Sequence, residues 1–176
     1  RSGGGLAHDM PKKWRWIMRL YHGSNVVIEN IDLSLSHKGK DFGCGFYLSD
    51  NYEQAFQMAC LTVERLESGV PIVTEFELDE TLFTDTSMQV LKFDSYTEEW
   101  AQFVLDNRNN QERKNIHNYD VVIGPIANDK VGAQIRRFLL GDIDIQQLVK
   151  ELTFHKGITI QYFFATEKAI HKLRKP

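Results

Sequence analysis

The chain has 176 residues, 42% apolar and 26% charged, which suits one globular domain with an ordinary core rather than a disordered or fibrous chain. A net charge of −3, from 21 Lys and Arg against 24 Asp and Glu, excludes a general pull toward nucleic acid or anionic membrane. Two cysteines without a CxxC, Cys44 and Cys60, exclude a disulfide scaffold or cysteine zinc site and make a reducing cytoplasm the default; no apolar run reaches the roughly 18–20 residues of a membrane span.

In chain order, residues 1–17 read as a leader or vector-derived segment: they lack an initial Met and carry a glycine triplet, with no secretory signal. Trp14 and Trp16 among Lys12, Lys13 and Arg15 stand there, and Met18 is a plausible native start to a domain over 18–176. "MRLYHGS" (18–24) reads as a short strand, 25–40 as an irregular loop, and "GFYLS" (45–49) as a second strand. Asp50 or Asn51 caps a helix, Glu53 suiting a capping box with Asp50; Tyr52, Ala55, Phe56, Ala59, Val63 and Leu66 give it an apolar stripe, and "SGVP" ends it. "PIVTEFELD" (71–79) alternates Ile72, Thr74, Phe76 and Leu78 against Val73, Glu75 and Glu77, a half-buried strand. A short strand near "MQVLKF", a helix near 96–107 and a polar loop at 109–115 follow. "YDVVIGP" (119–125) has the continuous apolar run of a buried strand stopped by Gly-Pro. Helices are expected over 129–140 and 144–154, a last strand over 158–166, and a terminal helix "EKAIHKLR" capped by Thr166. Strands and helices mix without regular β-α-β alternation, so the expectation is α+β with a mixed or antiparallel sheet.

Several short motifs carry less than they suggest. "DFG" holds magnesium in protein kinases, but the glycine-rich and catalytic loops that must precede it are missing. "GCG" is half of a dinucleotide fingerprint, followed by a strand rather than a helix. The six histidines form no HxxxH or HExxH pair, so no metal is expected.

What remains is an ordered set: "LYHGS", "DFGCGFYLS", "YDVVIGPIAND" and "QYFFATEKA", spanning residues 18–173. Together they resemble the ADP-ribosyltransferase superfamily, in its diphtheria-toxin and poly(ADP-ribose) polymerase branch with a His-Tyr-acid signature. They are most similar to a small uncharacterised bacterial family of that clan. The resemblance implies a split mixed or antiparallel sheet with flanking helices, and nicotinamide adenine dinucleotide (NAD) as co-substrate. It implies catalytic roles for His22, Tyr47 and Gln161, and a dinucleotide site of His22, Gly23, Ser24, Asp41, Phe42, Gly43, Gly45 and Tyr47. In it His22 meets a ribose hydroxyl, the Gly23 backbone holds the carboxamide, Tyr47 stacks on nicotinamide, and the bare backbone at Gly43 and Gly45 faces the ligand.

Aligning "IQY" with the branch's "NEY" puts Gln161 where a glutamate is usual, which removes a charge and a base and argues for transfer of a single unit. Asp120, Asp129, Glu75 and Glu77 are candidate substitutes, and Lys38 and Lys40 are candidate contacts for the pyrophosphate. Plain alternatives stand beside these roles. Gln161 serves equally as the outward residue of a strand, Asp120 as a strand-start cap, Phe42 and Phe46 as core, and Arg136 and Arg137 as surface charge. The expected activity is mono-ADP-ribosyl transfer in the cytoplasm to a protein, nucleic-acid or small-molecule acceptor. By analogy it is that of a toxin with an antitoxin partner, without membrane association. The rivals are an inactive NAD- or ADP-ribose-binding module and an RNA-phosphate-transfer activity on the same fold.

Overall fold

A computed structural model describes residues 17–127, 129–153 and 158–176; the leader residues Lys12, Lys13, Trp14, Arg15 and Trp16 lie outside them. Among the described residues seven strands form one sheet: β1 (Met18–Ser24), β2 (Phe46–Ser49), β3 (Ile72–Leu78), β4 (Val90–Lys92), β5 (Val121–Pro125), β6 (Ile160–Phe164) and β7 (Leu173–Arg174). Their order is β4-β5-β6-β2-β1-β3-β7, antiparallel throughout except for the parallel β4–β5 pair. Five helices accompany them: α1 (Tyr52–Leu66), α2 (Glu98–Asn109), α3 (Asp129–Leu139), α4 (Ile145–Thr153) and α5 (Glu167–Ile170). The fold is therefore α+β with a mixed sheet. No helix among the described residues is long and apolar enough to cross a membrane.

The side-chain period of two sorts the sheet into two cores. Leu20, Leu48, Phe76, Leu78, Val121, Ile123, Tyr162 and Phe164 face one side, covered by Leu82 and Met88 of the 80–88 segment and by Ala169 and Ile170 of α5. On the other side Val122 and Phe163 meet Phe42 and the apolar faces of α2, α3 and α4: Trp100, Val104, Leu105, Ile135, Leu148 and Leu152. β3 behaves as its alternation requires, with Thr74, Phe76 and Leu78 buried.

Helix α1 is held differently. Asn51 is its cap, its side chain accepting from the Gln54 amide at 3.0 Å. Only Ala55 and Ala59 of the expected apolar stripe are buried, while Tyr52, Phe56 and Leu66 remain exposed. The helix lies so close to β1 that a Cβ on Gly23 would collide with the Ala55 carbonyl oxygen and the Ala59 amide nitrogen. Small residues on the helix and a glycine on the strand are the two halves of one close approach.

The terminal helix is shorter than its sequence suggests. It stops at Ile170, and Leu173 and Arg174 pair with Leu78 and Glu77 as β7. Arg174 also reaches Asp79 at 3.1 Å. The unpaired edge of β3 takes this segment because ladder bonds and an ion pair outweigh one more turn of a short, frayed helix.

Candidate functional site

The sheet is continuous but not uniformly paired. β1 and β3 are in register over seven residue pairs, from Met18↔Leu78 to Ser24↔Ile72. β1 and β2 share one, Tyr21↔Ser49. No ladder pair follows it, so His22, Gly23 and Ser24 on one side and Phe46 and Tyr47 on the other border an unpaired stretch, a split in the ladder.

His22 bridges that split with its side chain. Its Nδ1 lies 2.7 Å from the Tyr47 carbonyl oxygen. A carbonyl only accepts, so Nδ1 carries the proton and donates. The ring stacks on Phe46 with centroids 4.3 Å apart. Burial pushes the imidazole's pKa below its ordinary 6.5, against the opposing pull of the Tyr47 hydrogen bond. The ring is thus neutral at pH 7, and Nε2, which makes no hydrogen bond within the described residues, is a free acceptor.

Register places a polar row across the other face. Tyr21, Ser49, Gln161 and Gly124 stand opposite one another on β1, β2, β6 and β5. Gln161 is buried, and its Nε2 donates to Asp41 Oδ2 at 3.2 Å and to the Pro125 carbonyl at 3.3 Å. Asp41 in turn binds Arg108, whose Nε and Nη2 lie 2.8 and 2.7 Å from Oδ1, while its Oδ2 also accepts from the Ala127 amide at 3.3 Å. Asp41 and Gln161, 120 residues apart in sequence, thus form one unit.

The glycine loop tells the opposite story. Tyr47 folds back over it, its hydroxyl donating to the Gly43 carbonyl at 2.8 Å and accepting from the Phe42 amide at 3.1 Å. The Phe42 carbonyl accepts from His117 Nε2 at 2.8 Å. Asn115 brackets Cys44, accepting from its amide at 2.7 Å and donating to its carbonyl at 2.9 Å. Gly43 has φ +103°, and a Cβ there would strike the Asn115 side chain; one on Gly45 would strike the Phe163 ring and the Phe164 carbonyl. Phe42 has no exposure. The bare backbone at Gly43 and Gly45 therefore makes room for protein, and Phe42 is core.

Tyr47 packs 4.9 Å from Phe163, and burial, partly offset by the Phe42 amide, raises its phenol well above its ordinary pKa. Its hydroxyl is committed to the loop, leaving ring contact as its route to a ligand. Ser24 ends β1, and its hydroxyl reaches the Asn25 side chain at 3.4 Å.

Of the candidate carboxylates, Glu75 stands opposite Tyr21 and extends the polar row onto β3, while Asp120 and Glu77 fall elsewhere. Asp120 accepts from the Gln89 amide and Thr166 at 2.8 Å each and pairs with Lys168 at 3.1 Å. Burial raises its pKa, but those partners hold it below the usual carboxylate range. It is a strand-start cap, the plain reading. Glu75 pairs with Arg19 at 3.3 Å, and Glu77 lies in register with Arg19 and Arg174. Asp129 begins α3, and its side chain lies outside what the structure describes.

Cations gather around Asp41. Lys40 is displaced below its ordinary pKa by burial and by the nearby charges of Arg65 and Arg108, against the pull of Asp41. Arg108 and Arg136 each bring an Nη1 within 3.9 Å of the point where a side chain would begin on Gly132. Lys40, Arg65 and Arg136 make no ion pair among the described residues, and Asp41 is already taken by Arg108. Among the described residues, three cations at the rim thus have no ion-pair partner. By contrast, an open depression of about 450 Å³ on α2 is lined by Glu98, Glu99 and Asp106, which would repel an anion. No three His, Cys, Asp or Glu converge as a metal site among the described residues.

Arg108, Asn115 and His117 were not singled out in the sequence. "NIH" at 115–117 sits in a polar loop, and nothing local signals that it clamps a segment more than 70 residues away.

The sequence model of the family described as "Protein of unknown function (DUF3990)" matches residues 18–174. The chain belongs to this family. The DUF3990 match begins where β1 begins and ends within β7, so it covers the whole sheet, the split and the Asp41–Gln161 unit. Nothing among curated proteins matches the chain.

Proposed function

We propose that this DUF3990 protein is an NAD-dependent mono-ADP-ribosyltransferase that releases nicotinamide, with the split between β1 and β2 as its dinucleotide site. One observation carries the reading: Gln161 Oε1 is a neutral acceptor beside the cations around Asp41, and His22 Nε2, on the opposite face where the β1–β2 pairing ends, is a second. A nucleotide presents the complementary chemistry, hydroxyl donors on its sugars and anionic phosphates. The ordered motifs "LYHGS", "DFGCGFYLS" and "QYFFATEKA" support the same reading through their resemblance to the diphtheria-toxin and poly(ADP-ribose) polymerase branch. Cys44 and Cys60 are both free thiols, which fits a reducing compartment such as the cytoplasm.

Within this reading His22 holds a ribose hydroxyl through Nε2, and Lys40, Arg65 and Arg136 meet the pyrophosphate. Gln161 accepts from a second hydroxyl without taking its proton. Gly43, Gly45 and Phe42 shape the loop from behind and touch no ligand. The acceptor is a protein, a nucleic acid or a small molecule.

A second reading has its own observation. Gln161 stands where the resemblance places a glutamate, and the carboxylate beside it, Asp41, is already paired with Arg108, which favours a module that binds NAD or ADP-ribose without transferring it. Nicotinamide release by the purified protein, with cell lysate as acceptor source, separates the two. Transfer predicts release that His22→Ala abolishes without loss of fold; a binding module gives a measurable Kd and no release. If the protein neither binds the dinucleotide nor releases nicotinamide, both readings fall.

A further inference from the structure

We infer that Asp41 is the positioning residue of this site: it fixes the Gln161 amide so that Oε1 is the acceptor offered to the ligand, and makes a neutral amide, not an acid, the group the floor is built for. The inference rests on the dinucleotide reading above.

The orientation of Gln161 is forced by its neighbours. Nε2 has the Asp41 carboxylate at 3.2 Å and the Pro125 carbonyl at 3.3 Å, and both only accept. Turning the amide over would set Oε1 against two oxygens, so the NH2 end faces them and Oε1 faces away. Oε1 has no partner among the described residues, yet the fully buried side-chain atom left unpartnered among them is Asn107 Oδ1, not this one. That oxygen therefore keeps part of the slight exposure of Gln161.

Asp41 is equally fixed. Its oxygens receive the Arg108 guanidinium twice, the Ala127 amide and Gln161, all donors. Arg108 compensates its charge, so what reaches the ligand is an oriented dipole rather than a bare anion. The same geometry explains why glutamine stands at position 161. A glutamate there would place a second carboxylate against Asp41 and the Pro125 carbonyl with no proton between them. Gln161→Glu is thus not the recovery of a lost acid.

The test uses four full-length proteins: wild type, Asp41→Asn, Gln161→Glu and the double variant. Each is assayed for NAD binding by calorimetry, nicotinamide release across pH, and thermal midpoint. Asp41→Asn lowers kcat about tenfold with KM nearly unchanged, because the amide is free to turn. Gln161→Glu lowers both midpoint and release. The double variant recovers both, since the amide introduced at position 41 can donate to the carboxylate introduced at position 161. Its rate also acquires a carboxylate limb on the acid side that wild type lacks. A purely structural contact would recover the midpoint without adding that limb.

The inference is overturned if Gln161→Glu releases nicotinamide as fast as wild type without loss of midpoint, or if a folded Asp41→Asn keeps its kcat. Should Asp41→Asn fold poorly for want of the Arg108 pair, Gln161→Glu, which keeps that pair, decides alone. Wild-type protein that neither binds NAD nor releases nicotinamide removes the functional reading, and the inference goes with it. Wild-type release with unchanged variants removes the inference only.

Discussion

The loop over residues 41–47 and the split beside it are neighbours with opposite hydrogen-bond economies. In the loop, the amides and carbonyls of Phe42, Gly43 and Cys44 are all engaged, by Tyr47, His117, Asn115 and the Lys40 carbonyl. Beside it, His22 Nε2 on one face of the sheet and Gln161 Oε1 on the other are left open among the described residues. Ligand recognition needs unspent donors and acceptors, so the glycines mark architecture and, on the proposed function, the polar row marks the site. A glycine-rich, aromatic-rich segment can be distinctive in a sequence because packing demands it.

The sharpest way to break this comparison is to add one methyl group to each side of it. Gly23→Ala drives a Cβ into the Ala55 carbonyl, and Gly45→Ala drives one into Phe163 and the Phe164 carbonyl. Backbone cannot yield as a flexible side chain does, so each is expected to cost about 3 kcal/mol by urea denaturation. If the backbone of Gly45 faced a ligand instead, Gly45→Ala would leave stability nearly intact and weaken NAD binding, and the contrast drawn here would collapse.

Much of this was legible in the sequence, for physical reasons that differ by element. β3 follows from strict alternation, β5 from its continuous apolar run, and the start of α1 from an Asx residue before an apolar helix, although Asn51 rather than the Asp50–Glu53 pair makes the cap. His22, Tyr47 and Gln161 stood out through ordered motifs, and they lie on β1, β2 and β6, three neighbouring strands of the sheet. What stayed hidden is long-range. Arg108 finds Asp41 across 67 residues and Asn115 finds Cys44 across 71, and no local periodicity encodes either pairing. β7 escaped notice because two residues carry no strand pattern of their own; only the open edge of β3 calls them into the sheet.

Asn115→Ala sharpens the comparison from the loop side. It strips Cys44 of a donor and an acceptor in one substitution, leaving backbone groups that water must re-solvate, with an expected loss of about 2 kcal/mol. Thermal unfolding measures it, and NAD affinity of the folded fraction should hold. His22→Ala reverses the pattern. Losing one hydrogen bond and one ring stack beside an already open split costs about 1 kcal/mol, while NAD affinity by calorimetry should fall about tenfold. Equal stability losses for the two variants would mean that the split is as tightly built as the loop.

The smallest expected effect is a proton linkage shared by both regions. His117 accepts the Tyr119 amide on Nδ1 at 3.2 Å and donates from Nε2 to the Phe42 carbonyl, so it fits only as the neutral ring; burial lowers its pKa, against the pull of that carbonyl. His22 is lowered for the same leading reason. In each case the unfolded chain, with the ordinary value of 6.5, takes up protons before the folded one does. Stability from both is therefore complete above that value and declines as pH falls below it. Between there and about pH 5 most carboxylates remain ionised, so a falling thermal midpoint in this window reports the histidines. His117→Gln should flatten the decline while leaving NAD binding intact; His22→Ala should flatten it and weaken binding. If the decline survives His117→Gln in full and disappears with His22→Ala, the proton-sensitive region is the split alone, and the loop is locked by shape rather than by the tautomer of His117.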